Sequence, residues 1–129
     1  MYGEHAEVEA LVGKTLTKVE VNSSDDEIKF YCDDGTVYGM AHQQDCCESV
    51  TIEDVSGEWD DLIGQPILMA EKVTHDDENP EGVKAPDYQE SFTWTFYKFA
   101  TNKGYVTLRW YGESNGYYSE EVDFWKLDY

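Results

Sequence analysis

The sequence predicts an α+β fold that is mainly antiparallel β, a single twisted sheet curled towards a barrel or sandwich, with a short N-terminal helix. Three observations carry this prediction. Apolar residues alternate with polar ones over several short segments, the period of a half-buried strand. Those segments are separated by turn chemistry such as Asp34-Gly35 and Asn102-Lys103-Gly104. Only the N-terminal stretch carries apolar residues at helical spacing.

Glu4–Leu11 places Val8, Leu11 and Val12 near helical spacing, with Gly13 as the stop. Thr15–Val21 alternates and reads as a strand. Glu27–Cys32 and Thr36–His42 flank Asp33-Asp34-Gly35 and read as a hairpin. Pairing Cys32 with Val37 would put Cys32 on the apolar face with Ile28, Phe30 and Ala41, and His42 on the other side with Tyr38 and Met40. Val50–Val55 alternates again, and Trp59–Ile63 reads as a short helical turn within the turn region Gly57–Pro66. Ile67–Thr74 is a further strand. Thr74–Glu90 holds six acids and two of the three prolines, and reads as a long acidic loop.

In the last third, Val106, Leu108 and Trp110 form an apolar face after the turn at 101–104. Pairing Phe99 with Val106 and Tyr97 with Leu108 puts all four on that face. Trp94 and Phe96 join it, and stack with Trp110 in the core, if one extra residue is absorbed near Phe96–Tyr97 as a β-bulge. A final strand is expected around Tyr117–Trp125. At 129 residues the chain has room for one domain, so 1–129 is read as a single acidic domain.

Charge is distributed unevenly. Residues 1–90 hold 23 of the 28 acids against five lysines, a net charge of −18, whereas residues 91–129 hold 13 of the 19 aromatics at near-balanced charge. Such a surface repels nucleic acid and anionic membranes and favours a basic partner. The largest basic surfaces in a cell are the grooves of nucleic-acid-binding proteins. The candidate partner-binding residues are therefore the acid runs Asp25-Asp26-Glu27, Glu53-Asp54, Glu58, Asp60-Asp61 and Asp76-Asp77-Glu78. The longest uninterrupted apolar run, Ile67–Ala70, is four residues, against about 20 for a bilayer span. Met1–Thr15 shows no secretory pattern, and a cytoplasmic location is expected.

Chemistry-bearing clusters are few. His42, Cys46 and Cys47 are the densest set of soft-metal ligands and form a candidate zinc site, although adjacent cysteines strain to chelate together. The alternative is a strand-connecting turn in which both thiols pack. Cys32 reads as a core thiol. Glu113–Glu120 collects carboxylates, hydroxyls and an amide, but Asn115-Gly116 is turn chemistry first. No nucleophile elbow or phosphate-cradling loop is present, and the single arginine, Arg109, argues against phosphate binding. The reading is a binding protein and not an enzyme. A zinc-stabilised structural or regulatory domain and a small-molecule-binding domain are the alternatives.

The blocks H-Q-Q-D-C-C-E (42–48), W-T-F-Y-K-F-A-T-N-K-G-Y-V (94–106) and R-W-Y-G-E-S-N-G-Y-Y-S-E (109–120) resemble a family of small acidic domains encoded by phages and prophages. The resemblance covers roughly Glu27 to Phe124. It implies a role at the interface with a bacterial host. By analogy with other small acidic phage proteins, it implies an anti-CRISPR-like inhibitor that blocks the nucleic-acid channel of an RNA-guided nuclease.

Overall fold

A computed structural model describes residues 3–42, 48–76, 91–114 and 120–127. Among the described residues nine strands form two open antiparallel sheets. The first sheet contains β1 (Gly3–His5), β2 (Leu16–Val21), β3 (Glu27–Cys32), β4 (Val37–Ala41) and β9 (Asp123–Leu127), in the order β1-β9-β4-β3-β2. The second contains β5 (Ser49–Ser56), β6 (Met69–Asp76), β7 (Ser91–Thr101) and β8 (Gly104–Ser114), in the order β5-β8-β7-β6. The expected single sheet is therefore two. The last strand leaves the aromatic hairpin β7–β8 and inserts between β1 and β4 of the first sheet.

The sheets share one core. Ile28, Phe30, Met40 and Phe124 of the first meet Tyr97, Phe99, Val106, Leu108 and Trp110 of the second. Phe30 sits centrally, its ring centroid 5.7 Å from Phe99, 6.2 Å from Phe124 and 6.4 Å from Trp59. The residues buried furthest are thus the alternating positions of facing strands, the pattern of a sandwich.

The expected N-terminal helix does not form. Gly3–His5 pairs with β9, Ala6 donates to the Phe124 carbonyl at 3.0 Å, and only a single 3-10 turn, Val8–Leu11, follows. A segment this short gains little from helix formation alone, and the edge of β9 offers backbone partners that it lacks as a helix. The stop at Gly13 is correct: its φ is +87°. The second 3-10 turn, Trp59–Leu62, lies where a helical turn was expected. Among the described residues no helix is long and apolar enough to cross a membrane.

Two expected registers are corrected. In the β3–β4 hairpin Cys32 accepts from Gly35 at 3.1 Å and donates to the Thr36 carbonyl at 2.9 Å, with Gly35 at φ +90°. The connection is a three-residue loop, and Tyr31, not Cys32, faces Val37. Every side chain of β4 thereby changes face: Tyr38 and Met40 enter the core with Ile28, Phe30 and Cys32. In β7–β8 no bulge occurs; pairing is continuous from Ser91↔Ser114 to Thr101↔Gly104, with Tyr97↔Leu108 and Phe99↔Val106 as expected. Trp94 and Phe96 therefore lie on the face opposite Trp110. Trp94 is still buried there, 4.4 Å from the Tyr111 ring and beneath Arg109 at 5.7 Å. Of the loop expected at 74–90, Thr74, His75 and Asp76 belong to β6 instead, paired with Thr95, Trp94 and Thr93; residues 77–90 lie outside the described residues.

Candidate functional site

The turn between β2 and β3 is built by Asn22. Its side-chain oxygen accepts from the backbone of Asp26 at 2.9 Å and Glu27 at 3.1 Å, and its amide donates to the Asp26 carboxylate. This closes the chain so that Asp25 adopts φ +54°, a conformation that aspartate tolerates better than most residues. The Asp25 carbonyl then accepts the backbone N–H of Ile52 in β5 at 2.7 Å. One bond joins the two sheets and brings Asp25 and Asp26 beside Glu53 and Asp54.

β5 is an outer strand of its sheet. A bulge between Ile52 and Asp54 sets both Glu53 and Asp54 against Arg109, and Glu53 takes the Arg109 Nε. Beyond β5, Gly57 at φ +103° turns the chain close to the backbone of Tyr105; a Cβ there would lie 2.4 Å from the Tyr105 oxygen. The turn delivers Glu58 and Asp60 to the surface beyond the end of β5, while Asp61 is half-buried against Gly104. Lys103 places one positive charge beside this run, its ammonium donating to the carbonyls of Asp60 at 2.8 Å and Ile63 at 3.0 Å.

Among the described residues no lysine or arginine forms an ion pair with Asp25, Asp26, Glu27, Asp54, Glu58 or Asp60. Asp34 shows the contrast. Lys14 at 2.6 Å and Thr36 hold its carboxyl well below the usual carboxylate range. Asp25, Asp26, Glu53 and Asp54 thus lie together at the outer side of β5, and Glu58 and Asp60 follow beyond the end of that strand, beside the β7–β8 turn. Asp76 lies on the far strand of the same sheet, and Asp77 and Glu78 lie outside the described residues.

A second polar group is buried where the motif blocks end. His42 Nδ1 meets the Glu121 carbonyl at 2.6 Å and Nε2 meets the Glu48 carboxylate at 3.2 Å, with both side chains almost fully enclosed. Two acceptors face one ring, so both bonds are made together by an imidazolium, or by a neutral ring with a protonated Glu48. Nearby in sequence, the buried Glu120 accepts from Thr93 at 2.8 Å and from Ser114. Gly112 leaves room for it, since a Cβ there would lie 2.9 Å from the Glu120 Cβ. This group fastens the chain entering β9 onto β7, β8 and the start of β5.

For zinc, His42 is placed with both nitrogens engaged, so a metal at Nε2 would have to take the place of Glu48. Cys46 and Cys47 lie outside the described residues. Among the described residues no three histidines, cysteines or carboxylates are grouped to hold an ion. The turn of β4 to face the core, which brings His42 inward, was hidden from sequence by the one-residue difference in loop length. Glu48 and Glu120 stand at the ends of two motif blocks, but their burial and their partners His42, Thr93 and Ser114 were not legible from sequence.

The family model of a domain of unknown function, DUF7448, matches residues 9–124. The chain belongs to that family. The DUF7448 match takes in the whole acidic edge and both ends of the buried polar group. No curated protein and no solved structure matches the chain.

Proposed function

We propose that this DUF7448 domain is a binding protein whose acidic edge occupies the basic, nucleic-acid-binding surface of another protein. The observation that carries this reading is the bond from Ile52 to the Asp25 carbonyl, which sets the acids at 25–26 beside those at 53–54, of which only Glu53 is ion-paired among the described residues. Natural surfaces mix charges; an edge with one ion pair among several carboxylates, in a chain of net charge −19, is a standing self-repulsion that a cationic partner relieves. The finer reading, a phage-encoded, anti-CRISPR-like blocker of an RNA-guided nuclease, rests on the resemblance of the motif blocks and on charge. In that role the carboxylates meet the lysines and arginines that otherwise hold phosphates.

Capture of host proteins on the immobilised domain tests the reading, with the dissociation constant of the captured protein then measured against salt. Affinity falls at least about tenfold between about 50 and 500 mM salt, because exposed charges are screened over about 8–10 Å near physiological ionic strength. An affinity indifferent to salt transfers the binding energy to apolar contacts and removes the acidic edge as its source.

A further inference from the structure

Each sheet ends on two outermost strands, and three of these four are protected. β1 has only three residues, and β2 carries a bulge between Leu16 and Lys18. β5 carries a bulge between Ile52 and Asp54 and is bonded to the Asp25 carbonyl. Short strands, bulges and covering loops stop a sheet from pairing with another chain. β6 has none of these among the described residues. Its eight residues pair with β7 in unbroken register from Met69↔Ala100 to Asp76↔Thr93, and it is the last strand of its sheet. Just before it, Ile67 is closed on its outer side, donating to the Lys14 carbonyl at 2.9 Å and accepting from Gly13 at 2.8 Å. Leu68 donates the other way, to Ala100 of β7 at 2.8 Å. Strand alternation then turns the backbone groups of Met69, Glu71 and Val73 outward, and among the described residues no backbone group bonds to them there.

The exposed apolar side chains gather at the same strand. Leu68 is 57% exposed, Met69 38% and Val73 37%. Tyr105, 70% exposed, stands in the row of Met69 across Ala100. Glu71, Lys72, Val73 and Thr74 are exposed in succession, on both faces, so the flank of the strand is open to solvent. A regular, open and partly apolar flank is a pairing surface.

We propose that β6 pairs antiparallel with β6 of a second copy of this chain, joining two four-stranded sheets into one of eight strands. Charge selects this occupant. A basic partner is drawn to carboxylates, whereas β6 is close to balanced, with Glu71 and Asp76 beside Lys72 and His75. A two-fold axis at Val73 sets Val73 against Val73, and sets Glu71 of each copy against His75 of the other. Moving the axis to Lys72 sets lysine against lysine, and moving it to Glu71 sets glutamate against glutamate, both disfavoured. An axis at Thr74 would set Lys72 against Asp76, but the Lys72 ammonium is held by the Val122 carbonyl at 3.2 Å. The net charge does not forbid this dimer. Its two β5 edges lie seven strand spacings apart, about 33 Å, several times the screening length of about 8 Å. Each copy keeps its β5 edge free, so the affinity of one edge for a partner is unaltered by pairing. The inference goes beyond the basic-partner reading and does not depend on it.

Sedimentation equilibrium of the intact protein from about 5 to 500 μM tests the pairing; a dissociation constant on the order of 10–100 μM is expected for a contact at the small end of interface sizes. Pairing strengthens severalfold from about 50 to 500 mM salt, since screening removes repulsion between two like-charged chains, the opposite sign to binding of a cationic partner. Val73→Lys weakens it at least about tenfold by setting two ammonium groups face to face, although the chain becomes less negative. Thr51→Lys, the same change in charge at an exposed position of β5, does not weaken it. Glu71→Lys is the second variant on β6; it also weakens pairing, and both β6 variants melt within a few degrees of the parent because lysine is a natural edge residue. A monomer throughout this range at about 500 mM salt overturns the proposal. So does a dimer equally stable in Val73→Lys, Glu71→Lys and Thr51→Lys. Neither outcome touches the acidic edge on β5, whose test is a salt dependence of opposite sign in the complex with a partner.

Discussion

The combined variant Asp25→Asn, Asp54→Lys, Glu58→Lys is expected to bind the partner at least about 100-fold more weakly at moderate salt, while melting within a few degrees of the parent. Removing close charge complementarity at an interface costs about 2–5 kcal/mol, and placing lysine against lysine adds repulsion. All three side chains are exposed, and none forms an ion pair among the described residues, so the fold loses little. Asparagine is chosen at position 25 because the φ of +54° there suits it and not lysine. Glu53 is left in place, since its removal would strip Arg109 of a partner and mix a stability effect into the result. A control carrying Glu4→Gln, Glu9→Lys and Glu71→Lys changes the net charge by the same amount away from β5. It is expected to lose less than about fivefold, the share that net charge alone contributes through steering. Equal losses in both variants would mean that overall charge, and not the edge, binds the partner.

The largest expected effect on stability is at Gly39. It lies in β4, between β3 and β9, and the Trp125 ring rests on it so closely that a Cβ would lie 2.7 Å from two ring carbons. Trp125 is buried, and its neighbours on both strands are backbone-paired, so the ring cannot simply turn aside. Gly39→Val is expected to destabilise the domain by about 3 kcal/mol or more, at the upper end of overpacking costs. Thermal unfolding reads this as a drop in Tm of about 10 °C for a chain of this size. Adding Trp125→Leu to Gly39→Val vacates the space and recovers part of the loss relative to the sum of the single variants. A Tm for Gly39→Val equal to that of the parent would contradict the packing of Trp125 on the sheet.

Local pattern was legible and long-range partnership was not. β3 spans the same residues, Glu27–Cys32, that its alternation marks, and the pairs Tyr97↔Leu108 and Phe99↔Val106 follow from counting outward from the turn at 101–104. What alternation does not encode is which strand lies beside which. β9 follows the aromatic hairpin in sequence but pairs with β4 and β1, and this choice divides the strands into two sheets. Loop length is the second gap. Asp34-Gly35 suits a two- or a three-residue connection, and the difference of one residue decided whether His42 faced the core or solvent. The same limit applies to the candidate site. The acid runs at 25–26 and 53–54 were visible as composition, but a single bond between backbones makes them neighbours. Trp94 shows the opposite error: its aromatic character suggested the core face by way of a bulge, and it lies on the other face of the sheet, packed by Tyr111 and Arg109.

Competition between the domain and nucleic acid for the same partner tests the central claim most directly. A guide-loaded RNA-guided nuclease from a bacterial host, or the protein captured from its lysate, is titrated with labelled target nucleic acid at fixed concentrations of the domain. Occupation of the basic surface predicts that the apparent affinity for nucleic acid falls in proportion to added domain, with no complex holding both, and that the edge variant restores nucleic-acid binding. A stable ternary complex of partner, nucleic acid and domain would contradict the account.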